Sequence, residues 1–427
     1  MAERKEPPVA GDHGDTVSVR DSPFGLFAGA VVALSLAQYG HEVVKAVVAS
    51  PFIDFAHNYT FATAVALHLN PYDPAAAAEV DRLLGIRRAS SLGTYLPTFY
   101  FFAQPLSWLA LRPAAVVWCL LNQAALAAAL ALVATQFRGV PAWRLALVLF
   151  VVFTYQPLIE DVVLGQVNAL LLLGVTLAWW GMRSARPWLA AIGVAAALNV
   201  KPQYGLLLPL LWWLRQTRVA LVAVGLFAAS VAVSAWGMGP APFLDHGRYV
   251  ASLFPRLYAW TSNQSVVGIA YRTVGPFSRD SALALLIVID AVLLTLVALT
   301  VPRRIVPGSR TFDLAWALGL TAIPLSSPLL EEHHLVLLLL PIALIVLGGQ
   351  ENERLDAANV AFVVGLVLVA SRYSLEQFAW FHRGAPAALA SGKLLGLAVF
   401  GASLILRLRA RPSGSAGRDV TRTIPLL

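Results

Sequence analysis

The chain has 427 residues, of which 58% are hydrophobic and only 13% charged. Soluble domains are near half apolar and about a quarter charged, so this is the composition of a polytopic membrane protein, not of several soluble domains in a row. The net charge of +8 is mostly arginine, a bias that reports topology in such a chain, and no stretch has the form of a nucleic-acid-binding motif.

Residues 1–22 are polar and read as a disordered cytoplasmic tail. The first apolar run starts too late for a cleavable signal peptide, and the single Cys119 excludes an intrachain disulfide framework. Span 1 is Phe24–Val48, and a long loop follows over 49–94. Within that loop Phe55–Leu69 has the pattern of a helix lying on the membrane surface, stopped by Asn70-Pro71-Tyr72-Asp73-Pro74. Then come Tyr95–Leu111, Ala114–Thr135, Trp143–Leu158, Val162–Gly181, Trp188–Asn199 and Tyr204–Leu214. The series ends with Val219–Trp236, Ala282–Val301, Leu314–Leu325, Leu335–Leu347, Val360–Ala370 and Leu394–Leu406.

Positive charge sets the parity. Arg138 and Arg144, Arg183 and Arg186, Arg215 and Arg218, Arg303, Arg304 and Arg310, and the tail from Arg407 to Arg422 mark the cytoplasmic side. Both ends are cytoplasmic only if one early segment does not cross. Tyr95–Leu111 is that segment, because Pro97 and Pro105 break it and Arg112-Pro113 follow. The expectation is an all-α bundle of about twelve spans over 23–408, with outer loops 49–112 and 238–280 and a basic cytoplasmic tail at 409–427. The short segments around Lys201 and Pro328 would meet inside an outward-facing cavity. No fixed-period repeat or inverted pair of broken helices is visible, which weighs against a secondary transporter.

This topology sorts the polar residues. Asp54, His57, Asn58, Glu160, Asp161, Gln166, Asn168, Asn199, Lys201 and Gln203 fall on the outer side. So do Asn263, Gln264, Ser265, Arg272, Glu331, Glu332, His333 and His334. Asp54, in Pro51-Phe52-Ile53-Asp54-Phe55, is a carboxylate among apolar neighbours at the membrane edge. It either caps the following helix or serves as a general base. Lys201, in Asn199-Val200-Lys201-Pro202-Gln203, is either a snorkelling lysine or a point charge for a phosphate. His333 and His334 are adjacent, so one at most faces a given site, and they lack the i, i+4 spacing of a metal pair; no metal or cofactor is expected. Asn263-Gln264-Ser265 and Asn58-Tyr59-Thr60 fit the glycosylation sequon and equally fit plain loops. Gln166 and Asn168 open a span and read as interhelical glue. Trp179-Trp180 and Trp212-Trp213 read as interfacial belts.

In their order along the chain these stretches resemble the GT-C type, polyprenyl-phosphate-sugar-dependent glycosyltransferases, in particular the bacterial alpha-mannosyltransferase family, which is family 87-like and includes mycobacterial phosphatidylinositol-mannoside mannosyltransferases. The stretches are Phe52-Ile53-Asp54 with Tyr59, Tyr95-Leu96-Pro97-Thr98-Phe99, Gly165-Gln166-Val167-Asn168, Lys201, Asn263-Gln264-Ser265 with Arg272, and Ser327-Pro328 with His333-His334. Leu329 to Glu332 and the spread-out Asp161 depart from the pattern, on the side where an acceptor would be read. The resemblance implies two juxtamembrane helices in the first outer loop. It also implies inverting transfer of a sugar, mannose first, from a polyprenyl-phosphate donor to an acceptor hydroxyl on a glycolipid or glycan, at the outer face of the cell membrane. Asp54 would be the base. Lys201, Arg272, Gln264 and Asn263 would hold the donor phosphate, with His333 and His334 also catalytic. Tyr59, Tyr95, Gln166, Asn168 and Glu332 would contact substrate. Two other classes stand beside this one: a lipid-linked-sugar flippase that binds the same headgroup, and a structural subunit of an envelope-assembly complex.

Overall fold

The computed structural model describes residues 23–50, 52–85, 93–349, 356–372 and 375–410. The expected tail 1–22, the expected tail 409–427 beyond residue 410, and Pro51 lie outside them. Every regular element among the described residues is helical. Helix α1 is Pro23–Ala49. The first long connection holds α2 (Ile53–Ala66), α3 (Pro74–Leu83) and α4 (Pro97–Ala103), the last running into a 3-10 turn at Gln104–Trp108. The bundle continues with α5 (Leu111–Gln136), α6 (Ala142–Thr154), α7 (Gln156–Leu164), α8 (Asn168–Arg183), α9 (Pro187–Val200), α10 (Leu207–Trp213) and α11 (Thr217–Met238). The second long connection carries α12 (Ala241–Ala259) and α13 (Val266–Val274). Then come α14 (Arg279–Thr300), α15 (Arg310–Leu325), α16 (Leu339–Leu347), α17 (Ala357–Ala370), α18 (Ala385–Leu389) and α19 (Gly392–Arg409).

Four of these, α1, α5, α11 and α14, are long and apolar enough to cross a membrane, or five spans if α6 and α7, bent by 43°, count as one. At 1.5 Å per residue, the 22 residues of α11 cover a hydrocarbon core of about 30 Å; the 14 of α9 do not. Among the described residues, helices of membrane length number four or five, against the twelve spans expected.

Three local features bear on the sequence reading, and two of them differ from it. The stop at Asn70–Pro74 is also a start: Asp73 caps α3 by accepting from Ala75 N–H at 2.9 Å, with Pro74 in the first turn. The described residues of the first long connection thus hold three helices, not two. Tyr95–Leu111 does break as expected, with Pro97 opening α4 and Pro105 inside the 3-10 turn. Glu160 and Asp161 lie in α7, not in a loop, because the chain breaks instead at Gly165.

The core pair is α8 and α9. Their backbones touch: a Cβ on Gly193 would sit 2.3 Å from Gly174 O, so only glycine allows the contact. Trp179 is not an interfacial residue. It is wholly buried and donates to Asp313 Oδ1 at 2.8 Å, while Arg183 pairs with Asp313 Oδ2 at 2.5 Å. The belt reading suits Trp212, which is exposed.

Candidate active site

The helices sort their ends. Arg183, Arg186, Arg215 and Arg310 sit at one end of α8, α9, α10 and α15. At the other end, Asn168 opens α8, Lys201 follows α9 and precedes α10, and Ser326-Ser327 follow α15. These second ends, with α2, α12 and the Ser327–His334 segment, enclose a cavity of about 270 Å³. Asp54, His57, Tyr95, Gln166, Lys201 and His334 are among its walls, and Val250, Phe254 and Leu257 of α12 give it an apolar side.

Asp54 is placed by a tight local arrangement. Phe52, just before α2, has left-handed φ 44°, a conformation that costs a bulky residue energy and persists only where packing imposes it. Its ring packs on Gly165, where an added Cβ would lie 3.0 Å from Phe52 and 2.8 Å from Phe55; Gly165 itself has φ +71°. Trp118 Nε1 holds the Gly165 carbonyl at 2.9 Å. The backbone so fixed brings Gln166 onto α2. Its Nε2 donates to Asp54 Oδ2 at 2.7 Å, and its Oε1 accepts from Tyr95 OH at 2.7 Å. Tyr95 thereby orients the amide that orients the carboxylate.

A parallel chain holds the amine. Asn168 donates through Nδ2 and its backbone N–H to Asp161 Oδ1, at 2.7 and 3.3 Å. Its Oδ1 accepts from Lys201 Nζ at 3.0 Å. Lys201 is buried, and its Nζ lies 5.7 Å from the centroid of the Tyr95 ring. An ammonium has three donors, and here a neutral amide takes one at the wall of a cavity.

Burial pushes the Asp54 carboxyl above the ordinary carboxylate range, against the opposing pull of Gln166, His57 and Lys201. Burial also lowers His57. Glu331, in the connection after α15, is pushed up to about 8, first by burial and then by the charges of Asp54 and Glu160, with Lys201 opposing.

The His-His segment faces the cavity in a way the sequence does not announce. Glu332–Leu338 is a 3-10 turn, in which residues three apart eclipse. Glu331 and His334 therefore share one face and line the cavity. They also cap each other: the Glu331 side chain accepts from His334 N–H, and His334 Nδ1 accepts from Glu331 N–H at 3.3 Å. His333 is fully buried behind them, its Nε2 3.8 Å from Glu331 Oε2. Glu332 points away and pairs with Lys393 at 2.7 Å. Ligand atoms of Glu331, His333 and His334 lie within 4.8 Å of one another, the one grouping among the described residues with the donors for a divalent cation.

Other expected site residues are placed elsewhere. Tyr59 donates to Leu109 O at 2.6 Å, on a side of α2 away from the cavity. Arg272 is buried and donates to the carbonyls of Thr261, Asn263 and Gly268. Asn263 is a clasp: its Nδ2 donates to Leu257 O and Pro328 O, and its Oδ1 accepts from Leu330 N–H and Ser265 N–H. Gln264 donates its backbone N–H to Leu330 O at 2.7 Å, and its Oε1 accepts from Lys393 N–H. Asn263 and Asn58 are both buried, which removes the sequon reading of each. The cavity adds Glu331, Thr94, His246 and Trp260 to the expected set. His246 lies mid-helix in α12, where no spacing singles it out.

A family model described as Glycosyltransferase family 87 matches residues 94–328. No curated protein and no solved structure matches the chain. The matched stretch supplies Tyr95, Gln166 and Lys201; Asp54, Glu331 and His334 come to the same cavity from outside it. More than half of the chain lies within that match, so the chain belongs to glycosyltransferase family 87.

Proposed function

We propose that the protein moves a sugar, mannose first, from a polyprenyl-phosphate donor to a hydroxyl of a glycolipid or glycan acceptor, with inversion. The observation that carries this reading is a carboxylate, Asp54, and a buried ammonium, Lys201, on the walls of one cavity, each tied by a neutral amide and neither paired directly with the other. Asp54 accepts the acceptor hydroxyl proton as that oxygen attacks the anomeric carbon. The bond from that carbon to the phosphate oxygen breaks, and the polyprenyl phosphate leaves with the electron pair. Lys201 meets the growing charge on the phosphate, so the leaving group departs without an acid. A carboxyl raised by burial is a stronger base than an exposed one, which suits a hydroxyl proton.

The cavity lies at the helix ends opposite the arginines, which supports an extracytoplasmic site in the cell membrane with both chain ends inside. We retain about twelve passes: a polar cavity cut into the outer leaflet shortens the crossing that helices such as α8 and α9 must make. The apolar side formed by Val250, Phe254 and Leu257 suits the first isoprene units of the donor. Purified protein screened against several lipid-phosphate sugars tests the reading. Transfer from polyprenyl-phosphate mannose is expected. Binding without transfer of any of them, with exchange of lipid between leaflets, would make it a flippase instead.

A further inference from the structure

Lys393 carries no role so far, yet it is one of the most completely buried charges among the described residues, 1% exposed near the start of α19. Its Nζ meets Glu332 Oε1 at 2.7 Å, donates to Val369 O at 3.0 Å and also reaches Ser371 O. Its backbone N–H donates to Gln264 Oε1 at 3.0 Å. Gln264 and Asn263 in turn grip Leu330, through Leu330 O at 2.7 Å and Leu330 N–H at 3.0 Å. The connection leading into the His-His turn is thus held from behind at Leu330 and Glu332, by two loops that meet on Lys393.

The three-residue period of the turn makes its rotation matter. Glu331 and His334 share the cavity face only while Glu332 stays turned toward Lys393. The Glu332 side chain is 15% exposed but its Oε1 is buried, and a carboxylate oxygen so placed that loses its cation is driven to find water. Rolling the turn to satisfy Glu332 would carry Glu331 and His334 out of the site.

We propose that Lys393 is a positioning residue that fixes the rotation of the Glu332–Leu338 turn. Helix α19, which lies beyond the family-matched stretch, is thereby part of the catalytic unit. The inference rests on the transferase reading for its kinetic consequence alone. Its geometric consequence stands independently.

The test has two readouts. His333→Cys and His334→Cys are each labelled with a membrane-impermeant maleimide, with Cys119 replaced by serine, in the wild-type and Lys393→Met backgrounds. The wild-type background labels position 334 and protects 333. Lys393→Met shrinks that contrast at least fivefold, and lowers kcat at least tenfold with donor KM within threefold. Adding Glu332→Gln removes the stranded carboxylate and recovers at least half of both losses. A merely structural role would lower thermal stability and leave the labelling contrast and the kcat of folded protein unchanged, and that result overturns the proposal. Should Lys393→Met fail to fold, refolding of the Lys393→Met/Glu332→Gln pair is the expected result, and a pair as unstable as the single variant overturns it. A collapsed contrast in a protein that transfers no sugar defeats the transferase reading and leaves the positioning role standing.

Discussion

The two ends of the same helices treat charge differently. At the arginine end, Asp313 is saturated: Arg183 pairs with one oxygen and Trp179 donates to the other, and the Arg183 guanidinium also lies over the rings of Phe137 and Trp179. At the cavity end, Asp54, Lys201 and Asp161 are kept apart by neutral amides, with Gln166 on Asp54 and Asn168 between Lys201 and Asp161. Direct pairing spends a charge on the fold. An intervening amide satisfies part of a group's hydrogen bonding and leaves its charge for a ligand. Charge at the arginine end holds the bundle together, and on the proposed reading charge at the cavity end waits for substrate.

Neutralising each end in turn breaks the comparison if it is wrong. The largest effect is expected for Asp54→Asn, which keeps the hydrogen bond from Gln166 possible but removes the base. Transfer in a radiolabelled-sugar assay falls by roughly a thousandfold, within the range general bases supply. Lys201→Met costs on the order of a hundredfold in kcat/KM, as loss of one charge-stabilising donor does. Asp313→Asn acts on the other ledger. It leaves Arg183, only 14% exposed, without its anion and lowers stability by about 3 kcal/mol in detergent unfolding, while the kcat of the folded fraction is unchanged. The smallest effect sharpens the comparison. Gln166→Leu removes a hydrogen bond that favours the charged carboxylate, so the Asp54 pKa rises further. Because the base must be ionised, activity falls as pH drops through that pKa. The acidic limb of kcat/KM lies above the roughly 3.9 of an ordinary aspartate, and moves to still higher pH in Gln166→Leu.

Much of this was legible in the sequence. Composition alone gives the all-helical membrane class, and arginine spacing gives the two ends. Asp54, Lys201 and one of the two histidines are legible as polar residues that apolar surroundings do not tolerate without a use, Tyr95 and Gln166 only through the family resemblance, and all line one cavity. What was hidden was phase. A 3-10 turn and an α-helix put different members of Glu331-Glu332-His333-His334 on a given face, and composition does not choose between them. Glu332 was expected at substrate, whereas Glu331 lines the cavity. Asn263 and Arg272 illustrate a second limit. Their donors go to backbone carbonyls of segments up to 65 residues away, and a polar side chain that closes a loop looks the same in sequence as one that binds a ligand. Span number was hidden for a third reason, because helices that end at an internal cavity need not have membrane length.

The measurement that bears most directly on the division of labour at the cavity is the affinity of purified protein for labelled polyprenyl-phosphate mannose in three forms: wild type, Asp54→Asn and Lys201→Met. The account predicts that Asp54→Asn binds the donor within twofold of wild type, as a base for the acceptor should, and that Lys201→Met binds at least tenfold more weakly. Equal affinities in all three, or a loss confined to Asp54→Asn, would contradict it.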